Sequence, residues 1–163
     1  MKRLWILRHA KSSWDYPGLA DHDRPLASRG RKAAKRIARW ADANDVRPDL
    51  VLCSTAVRAQ STLDLVRPGL GGPEERVERG LYHAAVDDVL ELVAATDDGV
   101  AGVLLIGHNP ALHELAAVLA PPGPDAFPTG ALAEIRLGID RWEELEPRCG
   151  VIEQFVVPRS LAH

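Results

Sequence analysis

The chain has 163 residues, 46% hydrophobic and 26% charged, with a formal net charge of −3, which is the size and mix of one globular domain over residues 1–163. The mild acidity excludes a global positive field for nucleic acid, and the longest apolar runs fall far short of a membrane-crossing helix. Two cysteines, Cys53 and Cys149, give no disulfide framework and no CxxC, and no signal-like segment opens the chain, so the sequence predicts a cytoplasmic monomer with no membrane or nucleic-acid partner.

Apolar runs alternate with helical patterns. Residues 3–7 read as a first buried strand ending on Arg8 and His9. Residues 28–43 read as a helix, with Ala33, Ile37, Trp40 and Ala41 on one face by three-and-four spacing. Arg31, Lys32, Lys35, Arg36 and Arg39 share the opposite arc, either as a solvated face or as a surface for an acidic partner. Residues 49–53 read as a second strand, followed by a helix to about residue 66 that Ser54 or Thr55 would cap. Residues 68–73 form a turn, 76–78 a short edge strand, and 86–95 a helix with Leu90, Val93 and Ala94 facing inward. Residues 102–107 are the clearest central strand, an apolar run of the kind buried on both faces. Asn109 would cap the next helix, with Pro110 at its first position. A loop over 121–128 leads to strands at 133–137 and 151–157. The acidic residues around Trp142 predict a short solvated helix or turn between them. The alternation predicts a three-layer α/β/α sandwich with a mostly parallel central sheet.

Three strand ends in that arrangement carry one kind of chemistry. Arg8 and His9 follow the first, Ser54 to Arg58 the second, and Gly107-His108-Asn109-Pro110 the central one. Parallel strands bring all three to one edge of the sheet. Arginine offers a planar fork of donors suited to phosphate, and neutral histidine is a nucleophile towards phosphorus. Two arginines and two histidines beside helix N-termini make a pocket for a tetrahedral dianion.

Leu7-Arg8-His9-Ala10-Lys11-Ser12-Ser13-Trp14, the Ser54-to-Ala59 segment and Ile106-Gly107-His108-Asn109-Pro110 together resemble the histidine phosphatase superfamily, of phosphoglycerate-mutase-like fold. The short length, and Asp23-Arg24-Pro25-Leu26 followed by Arg29-Gly30, are similar to its small SixA-type phosphohistidine phosphatase branch. The likeness runs from residue 3 to about 119 and resumes weakly at Pro128-Thr129-Gly130. Ala10 stands where the family has glycine, Lys11 where glutamate is common, and Asp15 where related mutases often have a phosphate-contacting asparagine. Gln60 comes one place early, Ser61 holds the glutamine's place, and the expected Thr62 follows.

The resemblance implies a phosphatase without cofactor or metal, acting on phosphohistidine of a protein or on a small phosphate ester. His9 would attack phosphorus to form a phospho-His9 intermediate that water hydrolyses. Arg8 and Arg58 would neutralise the phosphoryl oxygens, and His108 would hydrogen-bond the same group. Ser12, Asp15, Asn109, Tyr82 and His83 are the candidate substrate-binding residues around these four. No carboxylate stands in an obvious place for a general acid, and Glu78, His83 and Asp15 are the candidates. The pH profile is expected to be bell-shaped, falling at low pH as His9 protonates and at high pH as an acid such as His108 loses its proton.

Other motifs carry less. Cys53 and Arg58 are separated by four residues, not the five of a cysteine-phosphatase loop, so Cys53 reads as a buried strand end. His108 and His113, five apart, diverge around a helix rather than pairing on a metal, and His113 is expected to face solvent. His22 reads as a plain polar-loop residue. A non-catalytic phosphate-binding or scaffold domain is the alternative from outside enzymology.

Overall fold

The computed structural model describes residues 1–161. Residues 162 and 163, the end of the expected 1–163 domain, lie outside the described residues. Six strands form one sheet: β1 (Lys2–Arg8), β2 (Leu50–Ser54), β3 (Glu74–Glu78), β4 (Gly102–Gly107), β5 (Leu132–Leu137) and β6 (Gly150–Val156). Their spatial order is β3-β2-β4-β1-β5-β6. β3, β2, β4 and β1 pair in parallel, β5 runs against β1, and β6 runs against β5. Only β5 therefore opposes the common direction, and the mostly parallel sheet is as expected.

Four α-helices cover the sheet: α1 (Ser28–Ala43), α2 (Val57–Val66), α3 (Val86–Ala94) and α4 (Ala111–Leu119). Strand alternation divides the core between the two faces. Trp5, Leu7, Val51, Cys53, Leu104 and Ile106 pack with the inward residues of α1 and α2. Leu4, Ile6, Leu50, Leu52, Val103 and Leu105 pack with those of α3 and α4. This is the three-layer α/β/α sandwich. Full burial of each such side chain is worth about 1.5–3 kcal/mol, so the strands that end in polar residues are anchored by their apolar bodies. Among the described residues, no helix is long and apolar enough to cross a membrane.

Several local expectations need correction. The buried face of α1 is Gly30, Ala34, Ile37, Ala38 and Ala41, while Ala33 and Trp40 are only half-buried. On α3, Val89 and Val93 are buried and Leu90 and Ala94 half-buried. Neither Ser54 nor Thr55 caps α2, because the N-cap is Ala56, although the Ser54 hydroxyl does accept the Ala56 N–H at 3.2 Å. Asn109 does not cap α4. Pro110 is the N-cap, and the Asn109 amide donates instead to the Phe127 carbonyl at 2.8 Å. The turn at Trp142 is a 3-10 turn with exposed acids as expected, yet Trp142 itself is fully buried and donates from Nε1 to the Val100 carbonyl.

Candidate active site

The C-terminal end of β1 places Arg8 and His9 at the sheet edge. The Arg8 N–H donates to Ala131 O and the His9 N–H to Gly107 O. Gly130 closes the same corner, donating its N–H to both Arg8 O and His9 O at 3.0 Å from a φ of +76°, a conformation that favours glycine. Past His9 the chain presses on the first turn of α1. A Cβ on Gly30 would lie 2.0 Å from the Lys11 carbonyl oxygen, so only glycine lets helix and loop meet there. Thr62 ties this loop to α2. Its hydroxyl accepts the Ala10 N–H at 3.0 Å and donates to Arg58 O at 2.7 Å, which links the His9 loop to the helix carrying Arg58.

His9 is 6% exposed, and its Nδ1 lies 2.7 Å from the Ala10 carbonyl. A carbonyl can only accept, so Nδ1 carries the proton and the neutral ring keeps its lone pair on Nε2. Burial pushes the His9 pKa down to about 3, against the pull of the Ala10 hydrogen bond and with help from His108, Arg58 and Arg8. The His108 ring stands 5.2 Å from that of His9, centroid to centroid. Burial, with Arg58 as the next cause, lowers the His108 pKa to about 4. Ser54 Oγ lies 2.7 Å from His108 Nε2, and among the described residues its proton has no other acceptor. That proton therefore goes to Nε2, which leaves the ring proton of His108 on Nδ1. Both histidines are neutral near pH 7, His9 with a free lone pair on Nε2 and His108 with its proton on Nδ1. The alkaline limb expected from His108 losing a proton does not follow, because in the free protein that proton is already gone.

Four buried side-chain atoms lack a partner among the described residues: Arg8 Nε, Arg58 Nε, His108 Nδ1 and Asn109 Oδ1. Leaving such groups unpaired costs about 1–3 kcal/mol each. Three of the four are donors, and all four residues line one pocket of about 310 Å³ with His9, Ser12, Arg24 and Thr129. An oxyanion would supply the acceptors. None of the lining residues is a carboxylate, so the positive charge of the pocket comes from arginine and lysine.

Of the residues expected at the site, Arg8, His9, Arg58, His108, Ser12 and Asn109 line this pocket. Ser12 Oγ accepts from Arg24 Nη1 at 2.8 Å. Tyr82 and His83 stand over an adjoining cleft that Arg58, His108 and Asn109 share, and their rings are 4.1 Å apart. Asp15 is displaced: it is exposed on the loop after Trp14 and does not line the pocket. Glu78 is half-buried at the end of β3 and does not line it either.

Asp21 is the residue that the sequence reading missed. Arg58 donates to its carbonyl (2.7 Å) and its carboxylate (3.0 Å), Tyr82 Oη donates to the carboxylate (2.8 Å), and Arg24 Nε does so at 3.1 Å. Burial opposes ionisation, yet the hydrogen bonds from Tyr82, Arg58 and Arg24 hold the carboxyl well below the usual carboxylate range. Arg24, 8% exposed, also stacks under the exposed Trp14 ring at 3.5 Å. The available signal was the three-residue spacing of Asp21 and Arg24. His22 also proves more than a loop residue, since Nε2 pairs with Thr55 Oγ1 at 2.9 Å and the ring meets Tyr82 edge-on at 4.7 Å.

Cys53 is fully buried and its thiol is pushed up to about 12, first by burial and then by Glu75 and Asp64, so no thiolate nucleophile is present. His113 does not face solvent freely. It is half-buried, with Nε2 on the Pro124 carbonyl at 2.7 Å. Among the described residues, no three His, Cys, Asp or Glu side chains are grouped to hold a metal ion.

Comparison with known proteins agrees with this geometry. Residues 4–89 match the family model of the histidine phosphatase superfamily (branch 1). The chain is 43% identical to an uncharacterised protein of Mycobacterium tuberculosis over 94% of this chain and 100% of that protein. It is 32% identical to the phosphohistidine phosphatase SixA of Escherichia coli K12, over 83% of this chain and 85% of SixA. The solved structure of a protein histidine phosphatase SixA complexed with tungstate superposes with a TM-score of 0.83 at 30% identity, covering 97% of this chain and 98% of that one.

Proposed function

The chain belongs to the histidine phosphatase superfamily, and from that membership and the pocket's geometry we propose that it removes phosphate from phosphohistidine on a protein, without a metal ion, through a phospho-His9 intermediate. The observation that carries this reading is the set of buried unpaired donors, Arg8 Nε, Arg58 Nε and His108 Nδ1, beside a histidine held neutral with its lone pair on Nε2. A tetrahedral oxyanion satisfies the donors, and the tungstate bound to the SixA relative is such an ion.

In the first step His9 Nε2 attacks phosphorus in line, and the P–N bond to the substrate imidazole breaks as the new one forms. The electron pair stays on the departing nitrogen, which takes up a proton as it leaves. Arg8 and Arg58 carry the charge on the equatorial oxygens, and His108 Nδ1–H donates to one of them. In the second step water attacks phosphorus, the P–Nε2 bond breaks, its electron pair returns to His9, and phosphate departs with the water's oxygen.

Phosphohistidine is favoured over an ester because no carboxylate lines the pocket and Asp21, which grips the lining residues Arg58 and Arg24, is held ionised. An alkoxide leaving group needs an acid; an imidazole departs more readily. His83 remains the candidate acid for the alternative, a small-molecule phosphomonoesterase. A purely phosphate-binding scaffold would have no use for the fixed tautomer of His9.

The test is hydrolysis of a phosphohistidine peptide, p-nitrophenyl phosphate and a panel of metabolite phosphates, in EDTA, with His9→Ala as control. Preference for phosphohistidine, and an acid-labile phosphoenzyme seen only when His9 is present, are expected. A metabolite ester turned over far faster would move the substrate class. No turnover of any substrate would favour the scaffold.

A further inference from the structure

A second groove, of about 440 Å³, adjoins the catalytic pocket and shares Lys11 and Thr129 with it. Its basic rim converges from three separate parts of the chain: Lys11 after β1, Arg29, Lys32 and Arg36 on α1, and Arg159 in the turn after β6. Its floor is apolar, built from Ala33, Pro128, Val157 and Pro158. Lys35 and Arg39 continue the basic surface along the helix. Arg24, Arg58 and Arg67 all pair with carboxylates, but among the described residues none of these seven basic side chains is in an ion pair. In a chain of net charge −3, that concentrates a positive field on one face of an otherwise acidic molecule.

We infer that this groove seats an acidic segment of the phosphoprotein substrate, its carboxylates meeting Arg29, Lys32 and Arg36 while the phosphohistidine enters the adjoining pocket. The inference rests on the phosphohistidine reading above. Charge complementarity selects an anionic occupant, and the shared Lys11 and Thr129 make groove and pocket one continuous surface. Arg29, Lys32 and Arg36 climb α1 over roughly 10 Å, the reach of three or four extended residues. A small phosphate ester fills the pocket without touching this ladder. The apolar floor suits side-chain methylenes. Trp14, 76% exposed, lines the catalytic pocket beside the groove and offers an aromatic contact of the kind enriched at protein interfaces.

The experiment compares two phosphohistidine peptides, one flanked by glutamate and one by lysine, together with free phosphohistidine. The enzymes are the wild type and an Arg29→Glu/Lys32→Glu/Arg36→Glu variant, whose changes are on the outside of α1. The wild type is expected to prefer the glutamate-flanked peptide by about 10-fold or more in kcat/KM at low salt, mostly through KM. The preference should shrink to about 2-fold at 0.5 M salt and vanish in the variant, with free phosphohistidine turned over equally by both enzymes. No preference in the wild type, or one that survives charge reversal, overturns the inference. A fluorescent unphosphorylated glutamate-rich peptide, read by anisotropy, separates the two hypotheses. If it binds the wild type and not the variant while no phosphohistidine is hydrolysed, the functional reading has failed and the groove has not. Tighter binding of phosphatidylserine vesicles or of a short DNA duplex than of the peptide would overturn the protein partner in favour of those polyanions.

Discussion

Arg8, His9 and His108 reach the pocket from strand ends whose backbone the sheet fixes on both sides, whereas Asp21, Arg24 and Tyr82 come from irregular chain and are held by side-chain bonds. The first group forms an inner wall. Its members are paired sparingly, with two unpaired donors, Arg8 Nε and His108 Nδ1, and they are anchored by the apolar bodies of β1 and β4. The second group forms an outer wall that is fully paired and exposed at its rim. Arg58 belongs to both: it rises from the first turn of α2, is 6% exposed, and is clasped by Asp21 through carbonyl and carboxylate. In the proposed reaction the inner wall supplies the chemistry, and the outer wall supplies the placement of Arg58.

Variants of the two walls should differ in size and kind. His9→Ala removes the proposed nucleophile and is expected to cost about 10⁴-fold or more in kcat, with no phosphoenzyme formed. Residual turnover through a phosphoenzyme would mean that another side chain attacks. Arg58→Lys keeps the charge but loses the fork that serves Asp21 and the substrate together, so a loss of about 10²–10³-fold in kcat is expected. Near wild-type turnover would place Arg58 outside the reaction. Asp21→Asn should cost about 10-fold, because the amide keeps the shape and the main-chain contact but loses the charge that orients Arg58. In an Arg58→Lys background it should add little, as coupled residues do. A loss from Asp21→Asn as large as that from Arg58→Lys, and additive with it, would make the outer wall part of the chemistry. Tyr82→Phe removes one hydrogen bond at an exposed rim and is expected to lower kcat about 3-fold.

The same division explains what could be read from the residues alone. Arg8, His9 and His108 were legible because each follows an apolar run whose burial fixes where the strand ends. Arg58 was legible from its place in the opening turn of the helix that follows β2. Asp21 was not, because its main partner is 37 positions away and its own segment is a three-residue 3-10 turn with no periodicity. Asn109 carried a helix-cap signal, but the Phe127 carbonyl took its amide, and nothing local to Asn109 announces Phe127. Asp15 stands where the resemblance puts a phosphate-contacting asparagine, but the loop turns its carboxylate out to solvent. Trp142 sits among acids that are exposed as predicted, yet its indole packs into the core beneath α3 and α4 and its Nε1 finds the half-buried Val100 carbonyl.

The two walls also answer acid in successive windows, which gives the smallest expected effect. His9 and His108 have pKa values lowered from the ordinary 6.5 to about 3 and about 4. Above 6.5 neither folded nor unfolded chain binds the proton, and the histidines leave stability unchanged. Below 6.5 the unfolded chain takes up protons that the folded chain refuses, so stability falls with pH until the folded values are reached. The ceiling is about 1.4 kcal/mol per pH unit for each histidine. Asp21 acts later: its carboxyl lies below the usual carboxylate range in the folded state, so its contribution is intact above that range and is lost only below it. The Tm of the wild type should therefore decline between pH 6.5 and 4. His9→Gln should make that decline about half as steep, His108 carrying the rest, and Asp21→Asn should leave its slope unchanged. Over the same window kcat/KM for a substrate of constant ionisation should hold, because the free enzyme's His9 stays unprotonated almost to pH 4. A kcat/KM that halves near pH 6.5 would mean that His9 titrates as an ordinary histidine. The inner wall would then be wet, and its unpaired donors would be solvated rather than waiting for phosphate.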